Sequence, residues 1–493
     1  MIRHILASAA LLVAAPAFAT VTFTGLWAAP GDATDLSGIG PAFAGNRLSF
    51  GSDLFYDRAS GSFWGNTDRG PGGGVISFQP RVHQFTLDIE ADGSVSGFTL
   101  LRTVTFQMPD GRPFDGLNPL LLNGDKSVLG LSHDPEGLVV LPNGHFLVAD
   151  EYGPSLYEFD ANGVFVRAFE TPDNLLPRRA DGTLNFVDGR GGPATERVER
   201  GRQNNRGFEG LTLSRDGKQA IAVLQDPLME EGGPGGREGR RSRNLRIVVY
   251  DIATGTAVAQ YIYQLESLAD INGRIPGTGD DFPATSQGRN IGLSGIMALP
   301  NGKFLILERD NRGLGVDPVL EGMRPVGSKR IWLTDFTGAT DVSTISLAGS
   351  NELPASVTPV TKTLWFDVQA ELERVGVPVG EKMEGLAFGP SIDGGLSFVI
   401  VTDNDFSVTQ TDGGIQFDVC TNLLGSVAVQ VGLGAACPTG LALIPSFAYV
   451  FKVSGQSLVA AGIPEPGIWA MLIAGFGLVG GMARRRRGVP TAA

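Results

Sequence analysis

The chain has 493 residues, 69 of them Gly and 30 Pro, with a net charge of −13 and a pI near 4.9. That acidity excludes nucleic acid as a natural partner and favours bound cations. A turn-rich composition in which 42 % of residues are apolar suits an all-β protein with a substantial core, in one large domain or several smaller ones.

Residues 1–19 read as a secretory leader. Arg3 supplies positive charge, Ile5 to Ala15 an apolar core, and Ala17-Phe18-Ala19 a cleavage site, so the mature chain is expected to begin near Thr20. The expected domain runs over 20–460. In an oxidising compartment the two cysteines, Cys420 and Cys437, are expected to pair, the alternative being two buried thiols.

The body repeats. Leu141-Pro142-Asn143-Gly144-His145-Phe146-Leu147-Val148 and Leu299-Pro300-Asn301-Gly302-Lys303-Phe304-Leu305-Ile306 share six of eight residues. Asn-Gly between apolar runs marks a tight hairpin. Further copies turn at Arg215-Asp216-Gly217 and Ile392-Asp393-Gly394, and a weaker one runs from Asp53 through Ser60-Gly61 to Asp68-Arg69. The first strands of the copies carry Asp53, Gly137, Gly210, Gly295 and Gly385 at equivalent places. The second strands end near Asp150-Glu151, Asp226, Glu308 and Asp403-Asn404-Asp405. Short strands with a long-period repeat favour a β-propeller over a two-sheet sandwich. Six blades are expected, one without a clear motif, with five as the alternative. A period longer than an ordinary blade places long loops at Arg178–Arg206 and Gly232–Arg243. The one helical signal is Gln369–Val375.

Residues 461–493 contain Pro464-Glu465-Pro466, an apolar run from Ile468 to Met482, and Arg484 to Arg487. That order resembles the PEP-CTERM sorting tail of Gram-negative bacteria. The resemblance implies recognition by an exosortase, transient anchoring through the short terminal helix, and delivery to the periplasm, outer surface or extracellular matrix. The alternative is an ordinary membrane anchor. No other membrane contact is expected, and the protein is expected to be a monomer.

Asp134-Pro135-Glu136-Gly137-Leu138, Asp150-Glu151-Tyr152-Gly153-Pro154, Phe208-Glu209-Gly210-Leu211 and Met383-Glu384-Gly385-Leu386 together resemble the phytase-like β-propeller domain, labelled "esterase-like activity of phytase". The resemblance runs from about Leu36 to Val453 and implies a metal-assisted phosphoester or ester hydrolase. The chain departs from the motif at Ser52 and Ser294, which stand where the other copies have Glu.

Innermost propeller strands face one another across a channel, so the equivalent Glu136, Glu209 and Glu384 are expected to converge. Such carboxylates repel unless a cation neutralises them, and an oxygen-only set suits Ca²⁺. Asp150, Glu151, Asp226, Asp403 and Asp405 are further metal-ligand candidates. The bland alternative is that the glutamates only staple neighbouring blades by hydrogen bonds. Arg69, Arg202, Arg206, Arg309 and Arg312 are candidate clamps for a small anionic or ester substrate, against an alternative as loop charges or salt-bridge partners. Glu136, Glu209 and His133 are the catalytic candidates. No G-x-S-x-G, Walker or HExxH motif occurs. A Ca²⁺-dependent lactonase using Glu136, Asn205 and Asp403 is the second enzyme reading. A non-catalytic propeller that binds polysaccharide or matrix protein is the third.

Overall fold

The computed structural model describes residues 20–117, 131–186, 197–233, 239–283, 285, 291–316, 324–411, 414–423, 425–455, 457–458 and 462. The proposed leader and the Ile468–Met482 run lie outside them. Among the described residues no helix is long and apolar enough to cross a membrane.

The fold is an all-β propeller. Strand β1 (Thr20–Ala29) is set aside until the end of the chain. Four sheets follow in sequence, each a four-stranded antiparallel meander. The first holds β2 (Leu54–Asp57), β3 (Ser62–Asn66), β4 (Arg81–Ile89) and β5 (Val95–Thr105). The second holds β6 (Pro135–Val140), β7 (Phe146–Asp150), β8 (Leu156–Phe159) and β9 (Phe165–Ala168). The third is β10 (Phe208–Leu213), β11 (Gln219–Leu224), β12 (Asn244–Asp251) and β13 (Thr256–Gln264). The fourth is β14 (Ile291–Ala298), β15 (Phe304–Asp310), β16 (Lys329–Asp335) and β17 (Thr361–Asp367).

The last blade starts with β18 (Lys382–Ile392) and β19 (Gly395–Asp403). The chain then leaves to build a small separate sheet from β20 (Val408–Gln410), β21 (Gln416–Thr421), β22 (Ala428–Gly432) and β23 (Ala442–Leu443). It returns as β24 (Ser446–Ser454), and β1 adds to β24 as the outermost strand, pairing Thr20 with Ser454. The innermost strands touch in the closed order β2, β6, β10, β14, β18 and back to β2. The described residues therefore form six sheets, of which five make up the ring, so the alternative of five blades replaces the six expected. The sheet without the repeat motif is an insertion in the fifth blade.

Inner strands are covered on both faces by neighbouring blades, which is why β6 and β10 are buried almost throughout while outer β13 alternates. Large apolar clusters fill the spaces between blades, such as Leu307, Ile331, Ile400 and Phe451 between the fourth and fifth. The repeated glycine marks the point of closest approach. A Cβ on Gly137 would stand 2.8 Å from Leu211 N, one on Gly210 2.6 Å from Ser294 O, and one on Gly295 2.3 Å from Glu384 O. Likewise one on Gly385 would stand 2.6 Å from the Leu54 N. The first blade has Asp53 instead, and its carboxylate accepts from Leu138 N at 2.7 Å, bridging the first and second blades.

A short helix, Val368–Val375, follows β17 as expected, capped by the Asp367 side chain. Cys420 and Cys437 form a disulfide inside the inserted sheet.

Candidate functional site

The glutamates of the motif stand one residue before the close-approach glycines, so each projects at the end of the channel where inner strands begin. That end opens into a polar cavity of about 680 Å³. Its floor is charged: Arg69, Glu136, Glu151, Arg206, Glu209, Arg309, Glu381, Lys382, Glu384 and Asp405. The inserted sheet supplies a roof through Val408–Thr411 and Gly414.

Glu136, Glu151 and Glu209 each offer an oxygen within 4.8 Å of the other two. The Oε2 atoms of Glu136 and Glu209 are buried and have no hydrogen-bond partner. Burial, then the nearby Glu209, Asp134, Glu384 and Glu151, drive the Glu136 carboxyl well above the usual carboxylate range. Glu209 is pushed up to about 8, by burial first and Glu151 second, against the opposing pull of Arg309 and Arg206. Two further acidic groups, Asp68-Asp134-Glu136 and Asp68-Asp403-Asp405, continue from the first through the shared Glu136 and Asp68.

The four floor cations are each engaged by two acids. Arg69 Nη1 lies 3.2 Å from Asp134 and 4.0 Å from Glu151. Arg206 lies 3.4 Å from both Glu151 and Asp226. Lys382 contacts Asp403 at 3.1 Å and Asp405 at 2.6 Å. Arg309 reaches Glu209 and Glu384 from the fourth blade. Stapling between blades, the bland alternative, is thus present alongside two carboxylate oxygens that staple nothing. Glu384 Oε2 is a third oxygen of that kind, while its Oε1 accepts from Arg309.

Several expected residues lie elsewhere. His133 is fully buried among Phe114, Tyr157 and Phe159, with Asp150 3.7 Å from its Nδ1, and does not line the cavity. Asp150 accepts from the backbone N–H groups of Asp134, Tyr152 and Gly153 and closes that turn. Arg312 donates to Pro325 O and Asp280 O and stacks on Phe282, away from the cavity. Asp226 sits below the floor against Arg206, and Asp403 against Lys382. Glu384 faces Arg309 in place of the acidic triad, whose third member is Glu151.

Glu381, Lys382, Gln225 and Asn311 line the cavity and escaped the sequence reading. Arg309, one of the expected clamps, does line the cavity, and it is adjacent to Glu308 at the end of β15. Glu308 turns away to Tyr263 Oη and Lys362, so Arg309 must point in. The cavity rim is also strained. Asn205 has φ +52°, and Asp405, Phe406 and Ser407 have φ +46°, +56° and +60°.

A family model described as "Phytase-like: Esterase-like activity of phytase" matches residues 47–406. The chain belongs to this family. An uncharacterized secreted protein of Arthroderma benhamiae is 32% identical over 322 residues, covering 56% of this chain and 59% of that one. The chain therefore spans about 59% of the length of that relative. Among solved structures, the calcium-binding protein regucalcin of Agrobacterium tumefaciens aligns with a TM-score of 0.29 at 12% identity, over 88% of this chain and 97% of that one. A streptogramin B lyase aligns with a TM-score of 0.28 at 8% identity, over 87% and 97%.

Proposed function

We propose that this phytase-like propeller is an exported, cation-dependent hydrolase of phosphoesters or carboxylic esters, with Ca²⁺ held by Glu136, Glu151 and Glu209. The observation that carries the reading is the pair of buried, unpartnered Oε2 atoms of Glu136 and Glu209 in one oxygen-only triad. Buried carboxylate oxygens without partners are costly, and a hard cation with oxygen ligands answers that cost. When bound, the ion supplies charge neutralisation and polarises an ester oxygen. Arg206 and Arg309 orient the anionic group from the floor. Hydrolysis adds water across the ester: the water oxygen bonds to phosphorus or acyl carbon, and the bond to the alcohol oxygen breaks. Glu384 lines the cavity with a buried, unpartnered Oε2 and is the carboxyl placed to pass the proton that the water loses on to the departing alcohol.

The test is turnover of generic phosphoesters and carboxylic esters with Ca²⁺ and with chelator, for the native protein and Glu136→Gln plus Glu209→Gln. Turnover that is absent, or indifferent to both chelator and substitution, overturns the reading. The lactonase reading is less favoured, because it enlists Asp403, whose oxygens already accept from Lys382 and the Asp405 backbone.

Export is part of the proposal. The leader at 1–19, the disulfide and the secreted relative support it. Residues 461–493 are proposed as the exosortase-recognised sorting tail. Deleting them should move the protein from the cell envelope to the medium, and unchanged fractionation overturns this part.

A further inference from the structure

We infer that the cavity accepts a single anionic group carried on an uncharged, hydroxyl-bearing body, and discriminates against polyanions. The inference rests on the hydrolase reading above and deepens it. Its basis is the contrast between the floor and the roof.

On the floor, six carboxylates face four cations. One divalent ion offsets the excess of two carboxylates over cations in the lining itself, and a single anionic group beside the ion completes its coordination. Each floor cation is already shared between two acids, so a second or third phosphate meets carboxylates in place of free guanidinium groups.

On the roof, Val408, Thr409, Gln410, Thr411 and Gly414 come from the inserted sheet, and Gly72, Gly73 and Val75 from the loop after β3. None of them is charged. Gly72 and Gly73, at φ +78° and +64°, bring their backbone against Gln416 and Gln410, so the two parts close together.

Between floor and roof the lining offers acceptors in need of donors. Asn205 Oδ1 and Gln225 Oε1 are buried, line the cavity and have no hydrogen-bond partner. The Gln225 amide is oriented by its Nε2, which donates to Glu209. A hydroxyl group supplies an O–H donor to such an oxygen, whereas a fully ionised phosphate supplies only acceptors. A buried acceptor left without a donor is a penalty for the wrong ligand, which is how polar sites reject analogues.

The experiment compares glucose 1-phosphate with inositol hexakisphosphate on the full-length protein in Ca²⁺, by turnover and by calorimetric binding. The expected result is kcat/KM and affinity at least tenfold higher for the monophosphate. Gln410→Arg, which adds a cation to the roof, should shift the ratio of the two ligands toward the hexakisphosphate by fivefold or more. Asn205→Leu should weaken the monophosphate more than inorganic phosphate. Equal or stronger binding of the hexakisphosphate by the native protein overturns the inference and leaves the hydrolase reading standing. Absence of turnover on every ester overturns the hydrolase reading, and the binding ratio then still decides the ligand class.

Discussion

The Nε of Arg309 donates to the Oγ of Ser294 at 2.6 Å. Ser294 stands where three other blades carry glutamate, and the guanidinium leans over it to reach Glu209 at 3.2 Å and Glu384 beyond. A small residue in the fourth blade therefore makes room for a cation that serves the third and fifth. Burial of Arg309 and both carboxylates makes this a costly set to break. Arg309→Ala should destabilise the fold by about 3–5 kcal/mol, read from urea midpoints. Adding Glu384→Gln to that variant should recover a substantial part, because one uncompensated charge is removed. Equal stability of native protein and Arg309→Ala contradicts this account.

Cation binding and stability are linked through the triad. Without divalent ions and above about pH 8, where Glu209 ionises, Glu136→Gln plus Glu209→Gln should raise the thermal midpoint, since it relieves buried like charges. In the native protein, Ca²⁺ at a hundred times its dissociation constant should add about 2.7 kcal/mol, and the doubly substituted protein should gain little. Differential scanning with and without chelator measures both effects.

The same carboxyls set a pH dependence of definite sign. Glu209 keeps its proton in the fold up to about 8, whereas in the unfolded chain it loses it near the ordinary value of about 4.3. Between those values the native state binds more protons, so the Glu209 contribution to stability falls as pH rises. The cation-free protein should melt progressively lower through that window, and saturating Ca²⁺ should flatten the trend. Melting temperatures that rise from pH 5 to 8 in chelator contradict the assignment.

The glycine contacts around the ring predict a position-specific effect. Gly295→Ala places a methyl 2.3 Å from Glu384 O and should cost about 1–3 kcal/mol or more. Gly432→Ala, in the inserted sheet with open space around it, should stay within about 0.5 kcal/mol.

The disulfide stabilises only the roof. Its cysteines are 17 residues apart, a loop length for which a crosslink contributes roughly 3 kcal/mol. Replacing both with Ser should speed hydrogen exchange in β21 and β22 and leave the protection of the five blades unchanged.

The ring was readable because its closest contacts repeat in sequence. A glycine followed by an apolar strand, a polar turn and a second strand recurs wherever inner strands approach one another. Glu136 and Glu209 were readable for the same reason, since they occupy the residue before that glycine. His133 and Arg312 were misplaced because spacing along the chain does not tell which side of a turn a side chain takes. His133 turned into an aromatic cluster and Arg312 onto Phe282. The roof left no periodic signal at all. It is a single insertion with no counterpart in the other blades, so its sheet was counted as a blade.

Pairing of Thr20 with Ser454 makes neighbours of two strands separated by the whole domain. The fifth blade cannot be completed until the last strand is available, so β1 waits unpaired while every other blade is assembled. On the export route proposed above, such a chain would cross its membrane with the seam open and close it on the far side. A circular permutant that joins residue 455 to residue 20 and opens the chain in an exposed outer loop should keep the ring and remove that delay.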